Sequence, residues 1–170
     1  MNTPTSIQGL FDDGRYELMN GHFDKSIELF SKVIELDPSH KLALISRGSA
    51  FLKLNDVDKA VDDFDRVIDI DSGYARAYHL RGIAREQNEE YESAVADISK
   101  AIEIDPEYGA AFYSRATLLT KLKREDEAVE DIQMVQFLTN RNIETFANEN
   151  NVWRSQQMKL ETTLETELER

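Results

Sequence analysis

The sequence predicts an all-α fold in which tandem antiparallel helix pairs stack into an α-solenoid. Three observations predict it. Small residues recur every 34 positions, at Gly14, Gly48 and Gly82, with Ala116 one step further. The apolar residues between them are spaced for helices, not for strands. Each unit also carries two breaks, one in its middle and one at its end. A fixed period of this length marks a repeat architecture, in which no unit can close its own core.

The register holds at other positions. Ser26, Ala60, Ala94 and Ala128 are small, and Phe30, Phe64, Ile98 and Ile132 are large and apolar. Val33, Val67, Ala101 and Val135 are apolar throughout, whereas Phe23, Val57 and Tyr91 give way to Glu127. In the second unit, Leu44, Phe51 and Leu52 mark a first helix. Val57, Ala60, Val61, Phe64, Val67 and Ile68 mark a second. Leu54-Asn55-Asp56 breaks between them, as Asn20-Gly21 does in the first unit. Each second helix opens with an acid that favours the helix dipole: Asp24, Asp58, Glu92 and Asp126. Asp37-Pro38 and Asp105-Pro106 then stop it. The small positions let paired helices cross closely, Gly48 against Ala60 for example, with Phe64 filling the space around the contact.

A 34-residue helix–turn–helix of this kind resembles the tetratricopeptide repeat family. The stretches Tyr78-His79-Leu80-Arg81-Gly82-Ile83-Ala84 and Ala94-Val95-Ala96-Asp97-Ile98 carry the likeness, as does Ala101-Ile102-Glu103-Ile104-Asp105-Pro106. It covers residues 7–142 as four units: 7–40, 41–74, 75–108 and 109–142. Residues 1–6 form a lead-in, and 143–170 a capping helix with an extension. The resemblance implies a right-handed superhelix that binds other proteins, and it implies neither catalysis nor a cofactor.

It also implies a concave surface lined by the first helices. By position this surface holds Gln8, Phe11 and Arg15; Leu42, Ile45 and Ser49; Arg76, His79 and Ile83; and Ala110, Tyr113 and Thr117. Tyr74 and Tyr108 are expected at its rim. An aromatic and apolar groove with a few cations suits a peptide or helix that carries acidic and apolar residues. One subgroup of the family grips the C-terminal carboxylate of the major heat-shock chaperones. At the positions of its clamp this chain has Phe11, Arg15, Ser46, Ala77 and Arg81, of which only Arg81 fits.

Composition narrows the function classes. The chain has 170 residues, with 33 acids against 20 bases and a net charge of −13. Such a balance argues against non-specific, phosphate-neutralising nucleic-acid binding and against a polybasic membrane role. The absence of cysteine excludes disulfides, thiol nucleophiles and Cys-based metal sites. With no secretory signal and no membrane span in the sequence, a cytoplasmic protein is expected.

Two ladders run at the repeat spacing. Arg47, Arg81 and Arg115 form one, and Asp63, Asp97 and Asp131 the other. The first unit has Asp13 and Leu29 instead, so the ladders appear and vanish together. That pattern predicts structural pairing between first and second helices in preference to an anion-binding stripe. Acidic runs such as Asp69-Ile70-Asp71-Ser72-Gly73 fail the calcium-loop pattern, because its first ligand would fall on Ile68. His22, His40 and His79 are too scattered for a metal site, and no phosphate loop or nucleophile elbow occurs.

The expected function is a non-catalytic adaptor that binds a protein segment in its groove. The alternatives are an accessory subunit of an enzyme or chaperone system and a self-assembling scaffold. A homodimer would form through the C-terminal helix, where Trp153, Leu160, Leu164 and Leu168 make a narrow apolar stripe. Phe146 and Trp153 fall in the register of a first helix, so residues 141–155 are expected to turn back and cover Met134, Phe137 and Leu138.

Overall fold

The computed structural model describes residues 6–149. These form eight helices and no strand: α1 (Ile7–Met19), α2 (Phe23–Leu36), α3 (Lys41–Lys53), α4 (Val57–Ile70), α5 (Ala75–Gln87), α6 (Tyr91–Ile104), α7 (Gly109–Lys121) and α8 (Glu125–Glu149). Each helix packs on its neighbours in sequence, and each odd-numbered helix also touches the next odd-numbered one. The chain is thus an α-solenoid, with α1, α3, α5 and α7 side by side.

Every turn within a pair has the same chemistry. Gly21, Asn55, Glu89 and Lys123 stand one period apart and all have φ between 59° and 78°. The residue after each donates its N–H to a carbonyl five positions back: His22 to Glu17, Asp56 to Phe51, Glu90 to Arg85 and Arg124 to Leu119, all at 2.9 Å. This is a Schellman ending, which satisfies carbonyls the first helix would leave bare. Glycine and asparagine suit the left-handed position, whereas Glu89 and Lys123 adopt it at a steric cost.

The turns between pairs are also alike. Asp37, Asp71 and Asp105 end the second helices in extended conformation. Their Oδ1 atoms accept the N–H groups of Ser39, Gly73 and Glu107. The acidic run Asp69-Ile70-Asp71-Ser72-Gly73 therefore contains a turn former in Asp71. Asp71 also receives Lys41 Nζ at 2.6 Å, which with the Gly73 N–H holds its carboxyl below the usual carboxylate range.

The fourth pair departs from the expectation of a separate capping helix. Thr139-Asn140 replaces the aspartate–proline stop, so nothing ends α8, which runs unbroken to Glu149. Leu138 is buried, but Met134 and Phe137 stay exposed and no returning helix covers them among the described residues. The Phe146 side chain, Trp153 and the leucine stripe lie outside the described residues.

The small positions work as close crossings. A Cβ built on Gly14 would lie 2.7 Å from Phe30, one on Gly48 2.6 Å from Phe64, and one on Gly82 2.6 Å from Ile98. All three partners are fully buried. Gly48→Ala gains about 1 kcal/mol in helix propensity but overpacks an enclosed ring, which costs typically about 1–3 kcal/mol. The variant should be less stable by about 1 kcal/mol in urea denaturation; a raised midpoint would show that the Phe64 ring yields freely.

Candidate partner-binding groove

The exposed strip along α1, α3, α5 and α7 holds the expected groove residues at three depths. Gln8, Arg15, Leu42, Arg76, Ala110, Tyr113 and Thr117 are exposed. Ser49, Ile83, Tyr74 and Tyr108 are half-buried, and Phe11, Ile45 and His79 are buried. Ser49 and Thr117 turn their hydroxyls back to the carbonyls of Ile45 and Tyr113. The strip therefore presents chiefly arginine, leucine and tyrosine side chains.

The buried members share one register, and Phe11 and His79 each meet the ring that opens the next pair. Phe11 lies 5.0 Å from the His40 ring, and Tyr74 packs on the core cluster that contains Ile45. His79 meets the edge of Tyr108 at 5.0 Å. Its Nδ1 is 2.9 Å from the Tyr108 hydroxyl and its Nε2 2.9 Å from Ser114 Oγ, so one imidazole ties α5 to the start and middle of α7. Tyr113, the fourth member, is 61% exposed, and no further helix pair covers it among the described residues. Burial pushes the His79 pKa down, and the nearby Arg76 charge adds to this. The same burial pushes the Tyr108 phenol up.

Two concavities open on the helices of this strip. One, of about 360 Å³, lies across α1, α3 and α5, with Phe11 and Ile45 among its lining and Arg15, Leu42 and Arg76 around it. The other, of about 450 Å³, lies between α7 and α8 and includes Tyr113, Ala110 and Leu138. Among the described residues no group of three or more His, Cys, Asp or Glu side chains is placed to hold a metal. No buried side-chain nitrogen or oxygen lacks a partner among them either.

The arginine ladder lies away from the groove. Arg47 grips Asp63 through two bonds of 2.8 and 2.7 Å, Arg81 grips Asp97 at 2.8 and 2.5 Å, and Arg115 grips Asp131 at 2.8 and 2.6 Å. The remaining nitrogen of each guanidinium reaches back to the preceding pair. Arg47 bonds Ser31, Arg81 bonds Asp65 and Arg115 bonds Ser99. Ser31, Asp65 and Ser99 form a third ladder that the arginine and aspartate spacing did not reveal. Their shared 34-residue step was its available signal. Arg81, the one residue matching the carboxylate clamp, is committed to these bonds. Hydrogen bonding to Asp97 is the main reason its guanidinium is held above its ordinary range, against burial.

Two tests follow from these contacts. Asp97, 6% exposed at its side chain, also receives Arg85 at 2.8 Å. Asp97→Asn leaves these arginines short of a carboxylate and should cost about 2 kcal/mol or more in urea unfolding. Asp65→Asn removes only a half-exposed partner and should cost under about 1 kcal/mol; equal losses would refute this ranking. The second test concerns pH. With the folded-state pKa of His79 lowered, its contribution is complete above about pH 6.5, the ordinary histidine value. It is lost as pH falls from there through the folded-state value. Between about pH 7.5 and about pH 5.5 the wild type should lose more unfolding free energy than His79→Gln. Parallel pH profiles would show that His79 does not titrate in this way.

Comparison with known proteins agrees with this geometry. Tetratricopeptide repeat family models match residues 11–75 and 75–108, together more than half of the chain. No curated protein sequence matches it. Among solved structures, MamA from Desulfovibrio magneticus RS-1 is 24% identical with a TM-score of 0.73, over 81% of this chain and 78% of that one. The first TPR of Spaghetti (RPAP3), bound to the HSP90 peptide SRMEEVD, is 24% identical with a TM-score of 0.66, over 69% and 93%. The Arabidopsis OM64 TPR domain is 25% identical with a TM-score of 0.63, over 66% and 93%. With the 34-residue period, the stacked helix pairs and the match over residues 11–108 in agreement, the chain belongs to the tetratricopeptide repeat family.

Proposed function

We propose that the protein is a non-catalytic adaptor that holds a peptide or helix of a partner protein in the groove along α1, α3, α5 and α7. Membership of the family supports a protein-interaction scaffold in general. One observation carries the more specific reading: large apolar side chains stand open on the strip, Leu42 49% and Tyr113 61% exposed, beside concavities of about 360 and 450 Å³. Exposed apolar side chains next to a concave, partly polar surface are what an anchoring residue of a partner needs. The RPAP3 domain of similar fold was solved with a peptide bound. No helix among the described residues is long and apolar enough to cross a membrane.

Placement decides which variants test the groove. Ile45 is 3% exposed, so an aspartate there would disrupt the core and say nothing about binding. Leu42 and Tyr113 are open, and Leu42→Asp with Tyr113→Asp should leave the fold intact. A phage-displayed library of random dodecapeptides panned on the full chain should yield binders that this double variant no longer retains. If every binder holds equally well to both proteins, the groove is not the binding surface.

A further inference from the structure

The arginines divide into two sets. Arg47, Arg66, Arg81, Arg85, Arg115, Arg124 and Arg141 all sit in ion pairs. Among the described residues only Arg15 and Arg76 do not, and both are exposed. They belong to different helices, α1 and α5, yet they line the same concavity of about 360 Å³. No carboxylate contributes to that lining, although acids outnumber bases in the chain by 33 to 20. Asp12, on the turn before Arg15, has Oδ1 engaged by Gln8 Nε2 at 3.0 Å. Apart from Ser46 the rest of the lining is apolar: Phe11 and Ile45 are buried there, while Leu42 and Met19 stand exposed.

We infer that this concavity is a subsite for a partner segment with two acidic residues flanking a bulky apolar one, held by Arg15 and Arg76 on either side of a Phe11–Leu42–Ile45 pocket. The inference rests on the adaptor reading above and specifies the chemistry of its partner. A guanidinium can bind a carboxylate through two parallel bonds, and an unpaired one is free to do so. Charge complementarity would also speed encounter with an acidic segment and disfavour a basic one. α1 and α5 are separated by α3, so their axes are about 16–20 Å apart at ordinary helix spacing. Long arginine side chains shorten that gap. The two acids would then stand about three to six positions apart in an extended segment. This differs from recognition of a terminal carboxylate, since Arg81 alone matches the clamp and is committed to Asp97 and Asp65, and the site asks for side-chain acids only.

The dodecapeptides that bind the wild type but not the Leu42→Asp, Tyr113→Asp variant provide the test. Their sequences should be enriched in Asp or Glu on both sides of a large apolar residue. Fluorescence anisotropy on the full chain should show their Kd weakened about tenfold or more in Arg15→Gln with Arg76→Gln. Arg15→Lys with Arg76→Lys should recover part of the loss, and wild-type binding should weaken with salt. Both arginines are exposed and unpaired, so an unchanged melting midpoint is expected for either pair of substitutions. Groove-dependent peptides that lack acids, or that bind the glutamine variant as tightly as the wild type, would overturn the inference and leave the adaptor reading standing. A complete lack of groove-dependent peptides would overturn both.

Discussion

Two antiparallel helices cannot bury all of their own apolar surface, and the architecture follows from that constraint. Phe30, Phe64 and Ile98 occupy one register position on α2, α4 and α6, and all are fully enclosed. Burying such a side chain is worth roughly 1.5–3 kcal/mol. Ile132 holds the same position on α8 but is 47% exposed, and Val129 beside it is 54% exposed. The sequence rule is the same in all four pairs. What differs is that α3, α5 and α7 follow the first three, whereas no further helix among the described residues covers the fourth. Stacking in turn places the first helices side by side, so the groove is a by-product of closing the core.

Close packing sets how near the helices come, and the arginine ladder sets how one pair registers on the next. Each of Arg47, Arg81 and Arg115 is gripped by an aspartate of its own pair and also touches the pair before it. Ion pairs of this kind add little net stability compared with apolar side chains of similar size, because both charges must be desolvated. Their geometry is directional, however, and a sliding or rotated neighbour would break the backward bond. The first unit carries Asp13 and Leu29 at the two ladder positions and so has neither member of the pair. The acid in that unit is instead Glu17, bonded to His22 and Lys25 across the α1–α2 turn.

Features enforced once per period were legible in the sequence. The glycine crossings, the pairing of Arg47 with Asp63 and the aspartates that end the second helices all repeat, and repetition is visible without coordinates. Features set by depth were less so. Phe11, Ile45 and His79 share the groove register, but a period does not say that the next pair's opening residue will cover them. Glu89 and Lys123 gave no sign of their left-handed backbone, because neither is a residue that favours it; only their step from Gly21 and Asn55 could have shown it. The C-terminal segment poses a different problem, since α8 continues through it as far as Glu149. Phe146 and Trp153 kept the first-helix register, yet Thr139-Asn140 had lost the stop that would have made a new helix necessary.

The groove is assembled from positions that the repeat leaves undetermined. Where packing dictates the side chain, the units agree: Gly14, Gly48 and Gly82 at the crossing, or Ala60, Ala94 and Ala128 opposite it. On the open strip, the series Arg15, Ser49, Ile83 and Thr117 contains four unrelated side chains, and Leu42, Arg76 and Ala110 contain three. Physics asks only that these positions tolerate water, so their variation along the chain is available to encode a partner. The outcome is a strip whose character changes along its length, from two unpaired arginines around an apolar hollow at α1–α5 to Tyr113 beside the Arg141–Glu107 pair at the far end. A surface that uneven distinguishes its two ends, and under the proposed adaptor function it would hold a segment in one direction.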